Sequence, residues 1–257
     1  MTNFLSEADF ELFLNTLRIM LESNQKKLQE VGRDLSMPID GFIELFRLTY
    51  GSALRISETL NIYPGDIDLD RLIITLNQTK TGFKKCRKCK GQGCEKCDNL
   101  GKIRKPQRTT IHPHYTDSLR SYLKGKDPTK PLFSTNRITL WDYAKKAGRL
   151  VAGLDVFEEQ QERMIQGIWT HLFRKSRAQQ MMRDIGPDEK ESFVYELVKV
   201  KLRHAREARD VTQRYSNIIG QKLGLNDLLE WEAKHYQDVG TLSDSLWREK
   251  KHYETKT

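Results

Sequence analysis

A chain of 257 residues, 37% of them hydrophobic and 31% charged, is long enough to bury a core and polar enough to stay in water. No apolar run approaches the roughly 18 residues of a membrane span, and Met1 to Glu11 lack the basic start and apolar stretch of a secretory signal. The chain is therefore expected in the cytoplasm with its thiols reduced, and its net charge of +9 favours a polyanionic partner, nucleic acid before a membrane surface.

In chain order, Phe10, Phe13, Leu14, Leu17, Met20, Leu21 and Leu28 recur at mostly helical spacing and predict a helix from Glu7 to Val31, ending near Gly32. Residues 1–36 are too short for a domain and read as a helix and linker. A second helix is predicted from about Asp40 to Tyr50, and a third carrying Arg55 and Glu58 and stopping near Pro64-Gly65. Strand-like stretches follow at Leu72–Leu76 and Thr109–Ile111, rich in β-branched residues, and suggest a hairpin with a large insertion at its tip. Beyond Pro113 the chain reads as helices broken near Lys126-Asp127-Pro128 and Ile185-Gly186-Pro187. A tail beyond Asn217 carries Ile218, Ile219, Leu223, Leu225, Leu228, Leu229 and Trp231 at irregular helical spacing. That apolar face is expected to pack on the chain's own core. His112 and His114, on either side of Pro113, are expected as exposed residues of a turn.

The insertion, residues 81–107, holds all four cysteines. Cys86-x-x-Cys89 and Cys94-x-x-Cys97 are separated by Lys90-Gly91-Gln92-Gly93, whose glycines permit the turn that brings the pairs together. Four thiolates so spaced predict a closed tetrahedral, structural zinc site, with an iron-sulfur centre or a redox dithiol as alternatives. Around them lie Lys84, Lys85, Arg87, Lys88, Lys90, Lys102, Arg104 and Lys105. These are expected to grip DNA backbone; the plain alternative is a solvated basic surface.

Four boxes in order carry a family resemblance. Tyr50-Gly51-Ser52-Ala53-Leu54-Arg55-Ile56-Ser57-Glu58-Thr59-Leu60 resembles the first arginine box of tyrosine recombinases, the family of phage integrases and Xer-type enzymes. Gln78-Thr79-Lys80-Thr81-Gly82 sits where that family carries its hairpin lysine. Thr170-His171-Leu172-Phe173-Arg174 is similar to its H-x-x-R box, and Leu202-Arg203-His204 with Thr212-Gln213-Arg214-Tyr215 to its terminal boxes. The resemblance covers roughly residues 37 to 217. It departs from the family in a His204–Tyr215 gap two residues longer than the commonest form, in Arg203 where glycine is usual, and in having only about 36 residues where a separate DNA-clamping domain usually stands.

The resemblance implies an α+β, mainly α, DNA breaking-rejoining core over residues 37–217, with a small antiparallel sheet, the zinc-binding insertion and a C-terminal tail over residues 218–257. It implies a site-specific recombinase or integrase, as found in mobile elements, that works through a 3′-phosphotyrosyl intermediate. Tyr215 would attack the scissile phosphorus, a phenol that must lose its proton as it does so, and His171 would help accept that proton. Arg55 and Arg174 would clamp the phosphate with planar, permanently charged forks. Lys80 would protonate the leaving 5′ oxygen, His204 would bond a non-bridging oxygen, and Glu58 would orient the cluster. Neither a catalytic metal nor a nucleotide is implied. The expected partners are double-stranded DNA and further copies of the chain, as a dimer or tetramer on DNA, and no membrane. Competing readings are a type IB topoisomerase-like enzyme, against which His171 stands where that family has lysine, and a DNA-binding regulator of the same fold without catalysis. A chaperone or thiol oxidoreductase built on the cysteines finds no support elsewhere in the chain.

Overall fold

The computed structural model describes residues 5–77, 83–97, 99–104, 106–152, 170–183, 197–198, 200–202 and 225–236. Helix α1, Glu7–Gln29, starts at a capping box in which the Ser6 hydroxyl accepts from the Asp9 amide at 3.1 Å and the Asp9 carboxylate accepts from the Ser6 amide at 3.0 Å. Its apolar stripe is Phe10, Phe13, Leu14, Leu17 and Leu21, all buried. The stripe packs on α2, Ile39–Gly51, and on α5, Arg137–Ala152. Phe10 stacks on Tyr50 with ring centroids 4.1 Å apart, and Phe13, Phe46 and Phe173 meet at 5.2–5.4 Å. Each ring so buried contributes about 1.5–3 kcal/mol of transfer free energy. The sequence sets residues 1–36 apart, whereas α1 shares one hydrophobic core with the rest of the chain.

The third helix differs from expectation. Helix α3 spans only Ile56–Thr59, with Arg55 as its extended N-cap rather than an interior residue. It cannot run on to Pro64, because the residue before a proline is driven to extended backbone, and Tyr63 has φ −104, ψ 154.

The sheet has the order β1-β2-β5, all antiparallel: β1 Ile67–Asp68, β2 Ile73–Leu76 and β5 Gln107–Thr110. Leu76 pairs with Gln107, so the intervening chain is an insertion at the far end of this hairpin. Inside it, β3 Phe83–Lys85 and β4 Lys102–Arg104 make a separate two-stranded ribbon. Helices α4, Thr116–Leu123, and α6, Thr170–Arg183, complete the layer around α2. Helix α7, Leu225–Tyr236, lies against β5 and the turn Pro113–Tyr115, burying Leu228, Trp231 and Tyr236. Among the described residues the architecture is mainly helical, with two small antiparallel sheets and a four-cysteine insertion. Among the described residues no helix is long and apolar enough to cross a membrane.

His114 is exposed as expected, but His112 is 2% exposed. The reason is Gly51: a Cβ there would stand 2.8 Å from the His112 Cβ, so the end of α2 presses directly on this turn. The His112 Nδ1 accepts from the His114 amide at 3.2 Å, which leaves the ring proton on Nε2, 3.7 Å from Glu7. Burial first, then the charges of Arg177, Lys201 and His114, hold its pKa well below the ordinary 6.5. The ring is therefore neutral, and its approach to Glu7 is dipolar. Because the unfolded chain takes up this proton and the folded chain does not, His112 lowers stability as pH falls below about 6.5 and is without effect above it. Thermal melts from pH 8 to 5 should show a loss on the acid side that shrinks in His112→Gln. An unchanged acid slope in the variant would refute the assignment.

Candidate active site and cysteine centre

The first arginine box is shaped by one strained residue. Ala53 is fully buried and adopts φ 49, a left-handed conformation that costs a non-glycine residue about 1–2 kcal/mol. This turn ends α2 and swings Arg55 to the head of α3. There Glu58 takes two of its donors: the Arg55 amide reaches Oε2 at 2.8 Å and Nη1 reaches Oε1 at 2.8 Å. Glu58 is buried while the Arg55 side chain keeps 28% of its surface open, so the carboxylate fixes a guanidinium that still faces solvent. Underneath, the Thr49 hydroxyl lies 2.9 Å from that of Thr59 and bonds the Leu45 carbonyl at 2.7 Å, tying α3 to α2.

Arg174, on α6, is 3% exposed. Its Nη1 donates to the Ala53 carbonyl at 2.7 Å, and its Nη2 donates to the Leu202 carbonyl. Ala53 belongs to the first box and Leu202 opens the last, so one guanidinium joins three separated stretches of sequence. Of the expected site residues, Arg55 is paired with Glu58, and Arg174 is bonded to Ala53, two residues before Arg55. His171 is on α6, one turn before Arg174. Lys80, His204 and Tyr215 lie outside the described residues.

Sequence reasoning missed a buried polar network beside this junction. Lys201 is fully buried; its Nζ donates to the Thr110 carbonyl at 3.1 Å, to the Thr110 hydroxyl at 2.5 Å and to Glu232 Oε1 at 2.7 Å. Arg177, also fully buried, lies 3.3 Å from Glu7, 3.8 Å from Glu232 and 4.7 Å from the centre of the Tyr236 ring. Burial works against the Arg177 charge, but Tyr236, Glu232, Tyr50 and Glu7 outweigh it and raise its pKa. The available signal was the spacing of Arg177, three residues after Arg174 and therefore on the same side of one helix.

In the insertion the four sulfurs lie within 4.8 Å of one another, and the closest pairs, Cys86–Cys94, Cys89–Cys97 and Cys94–Cys97, are 3.9, 3.7 and 3.7 Å apart. A tetrahedron with metal–sulfur bonds of 2.3 Å has edges of about 3.8 Å. The cluster can hold a metal ion. Amide donors already point at the sulfurs: Gly93 to Cys89 at 3.2 Å and Cys94 to Cys97 at 3.3 Å. Burial pushes the Cys89 thiol up, but the amides of Gly91 and Gly93, with Cys86 and Cys97, bring it down to about 6. At Cys94, burial and the bonds with the other thiols act together and push it up to about 11. Gly101 closes the module: a Cβ there would lie 2.3 Å from the Gly91 carbonyl oxygen. Lys85, Arg87, Lys88 and Lys90 are exposed, and Lys85 is the register partner of Lys102. Lys84, Lys102 and Arg104 belong to β3 and β4, and Lys105 lies outside the described residues.

The sequence matches no protein-family model and no curated protein. The chain is similar in structure to a recombinase and an integrase. For XerA recombinase the identity is 18%, with 91% of this chain and 65% of that chain covered and a TM-score of 0.47. For the Tn1549 transposon integrase, solved in complex with transposon right end DNA, the identity is 10%, with 90% and 65% covered and a TM-score of 0.45. The chain thus spans 65% of the length of each of these two solved chains.

Proposed function

We propose that this chain is a site-specific DNA recombinase of the tyrosine type, cleaving and rejoining double-stranded DNA through a 3′-phosphotyrosyl bond to Tyr215. The observation that carries the reading is the convergence on Arg174: the H-x-x-R box bonds the Ala53 carbonyl of the first arginine box and the Leu202 carbonyl at the start of the His204 box. Boxes matched independently along the sequence thus meet at a single guanidinium.

In this reading Arg55, held by Glu58, and Arg174 bind the non-bridging oxygens of the scissile phosphate. His171 takes the proton from Tyr215 as the phenol attacks, Lys80 gives one to the leaving 5′ oxygen, and His204 bonds the developing charge. The phosphotyrosine conserves the bond energy, so a 5′ hydroxyl reseals the strand without a nucleotide.

The four thiols would hold a structural zinc, which supplies a cross-link and no chemistry. The surrounding Lys84, Lys85, Arg87, Lys88, Lys90, Lys102, Arg104 and Lys105 bind DNA backbone. Support for this comes from the exposure of Lys85, Arg87, Lys88 and Lys90 on one short stretch of the insertion. The enzyme works as a dimer or tetramer on DNA, inside the cell.

Incubation with nicked DNA of candidate sites, followed by a denaturing gel, tests the reading. A covalent protein–DNA band should form with the unaltered chain and vanish in Tyr215→Phe. A band that persists in the variant would place the nucleophile elsewhere, and specific binding with no band in either would favour a regulator of the same fold.

A further inference from the structure

Two fully buried cations, Arg177 and Lys201, flank the Arg174 junction. Arg177 lies three residues beyond Arg174 on α6, and Lys201 immediately precedes Leu202, whose carbonyl accepts from Arg174. Glu232, on α7 and 2% exposed, stands between them, 2.7 Å from Lys201 and 3.8 Å from Arg177. Glu7 also faces Arg177, at 3.3 Å, but is 36% exposed, so it is the more strongly screened of the two carboxylates. With the charge of Glu232 removed, Arg177 and Lys201 would lose the buried carboxylate that stands between them. Lys201 immediately precedes Leu202, so any shift of the turn holding Lys201 carries the Leu202 carbonyl with it.

From this geometry we infer that Glu232 is a positioning residue for Arg174, acting through Lys201 and the Leu202 carbonyl, so that docking of α7 sets the phosphate-binding guanidinium. The inference rests on the recombinase reading for its consequence in catalysis, but not for its structural content. Lys201 transmits the constraint because it is anchored at its far side as well, on the Thr110 carbonyl and hydroxyl of β5.

The test uses the full chain and two readouts. Two carbonyl bonds slow the rotation of the Arg174 guanidinium, so the unaltered protein should give resolved nitrogen–proton signals for it, assigned by their loss in Arg174→Lys. In Glu232→Gln, which keeps the side-chain shape, those signals should average. Covalent adduct formation at saturating nicked DNA should fall about tenfold, with the dissociation constant for DNA unchanged. The double variant Lys201→Met, Glu232→Leu replaces the pair with apolar volume, an exchange that often preserves or raises stability. It should melt no lower than the unaltered protein and still show averaged Arg174 signals, because the tie to Thr110 is gone. Unchanged Arg174 signals in both variants would overturn the inference, as would recovery of signals and cleavage wherever the melting temperature recovers. An unaltered chain that binds DNA but forms no adduct would sink the recombinase reading alone; the guanidinium signals would still decide the role of Glu232.

Discussion

Arg174→Lys should slow covalent adduct formation by about two to three orders of magnitude at saturating DNA, the usual effect of losing a donor aimed at transition-state charge. Lysine keeps the charge but offers a point donor in place of a planar fork, and cannot hold the Ala53 and Leu202 carbonyls together. Arg174→Ala should lose cleavage to at least the same degree and also melt lower, because each buried carbonyl left without a donor costs about 1–3 kcal/mol. Comparing the two variants therefore separates the chemistry from the fold. Burst kinetics on nicked DNA and thermal melts measure both. Cleavage by Arg174→Lys at the unaltered rate would remove Arg174 from the proposed phosphate site.

Removing the zinc proposed for the four thiols should unfold the insertion and leave the core intact. A structural zinc on four cysteines contributes about 10–16 kcal/mol of apparent binding free energy at neutral pH, far more than the three register pairs joining β3 to β4 can supply alone. After treatment with a strong chelator, amide exchange should become fast from Phe83 to Arg104 while α1 and α2 stay protected, and all four thiols should react with a thiol reagent. DNA affinity should fall, and its dependence on salt should flatten as the basic residues lose their fixed arrangement. Reloading should release protons at pH 7, because thiols of the unfolded insertion become thiolates on the metal. Full exchange protection of the ribbon in metal-free protein would show that the metal does not hold it.

Much of the fold is legible in the sequence because period and burial coincide: Phe10, Phe13, Leu14, Leu17 and Leu21 mark α1, and the β-branched runs mark the hairpin whose register is Ile73–Thr110 to Leu76–Gln107. The cysteine spacing likewise foretells the cluster. Ala53 gives no such warning, since alanine ordinarily favours a helix; only tertiary packing forces it to φ 49 and makes Arg55 a cap. Lys201, Arg177 and Glu232 were unreadable for a related reason: charged residues are mostly exposed, and only the fold shows that Glu232 stands buried between the two cations. His112 is hidden by the same means, a glycine contact far away in sequence.

The pairing of Leu76 with Gln107 carries an implication for how such a chain could be built and rebuilt. The hairpin ends already lie side by side, so the cysteine module is a graft on a closed stem. Replacing residues 77–106 with a four-residue turn shortens the loop about sevenfold and should lower its closure entropy by about 2 kcal/mol. The same stem would accept an insertion of a different kind at that point.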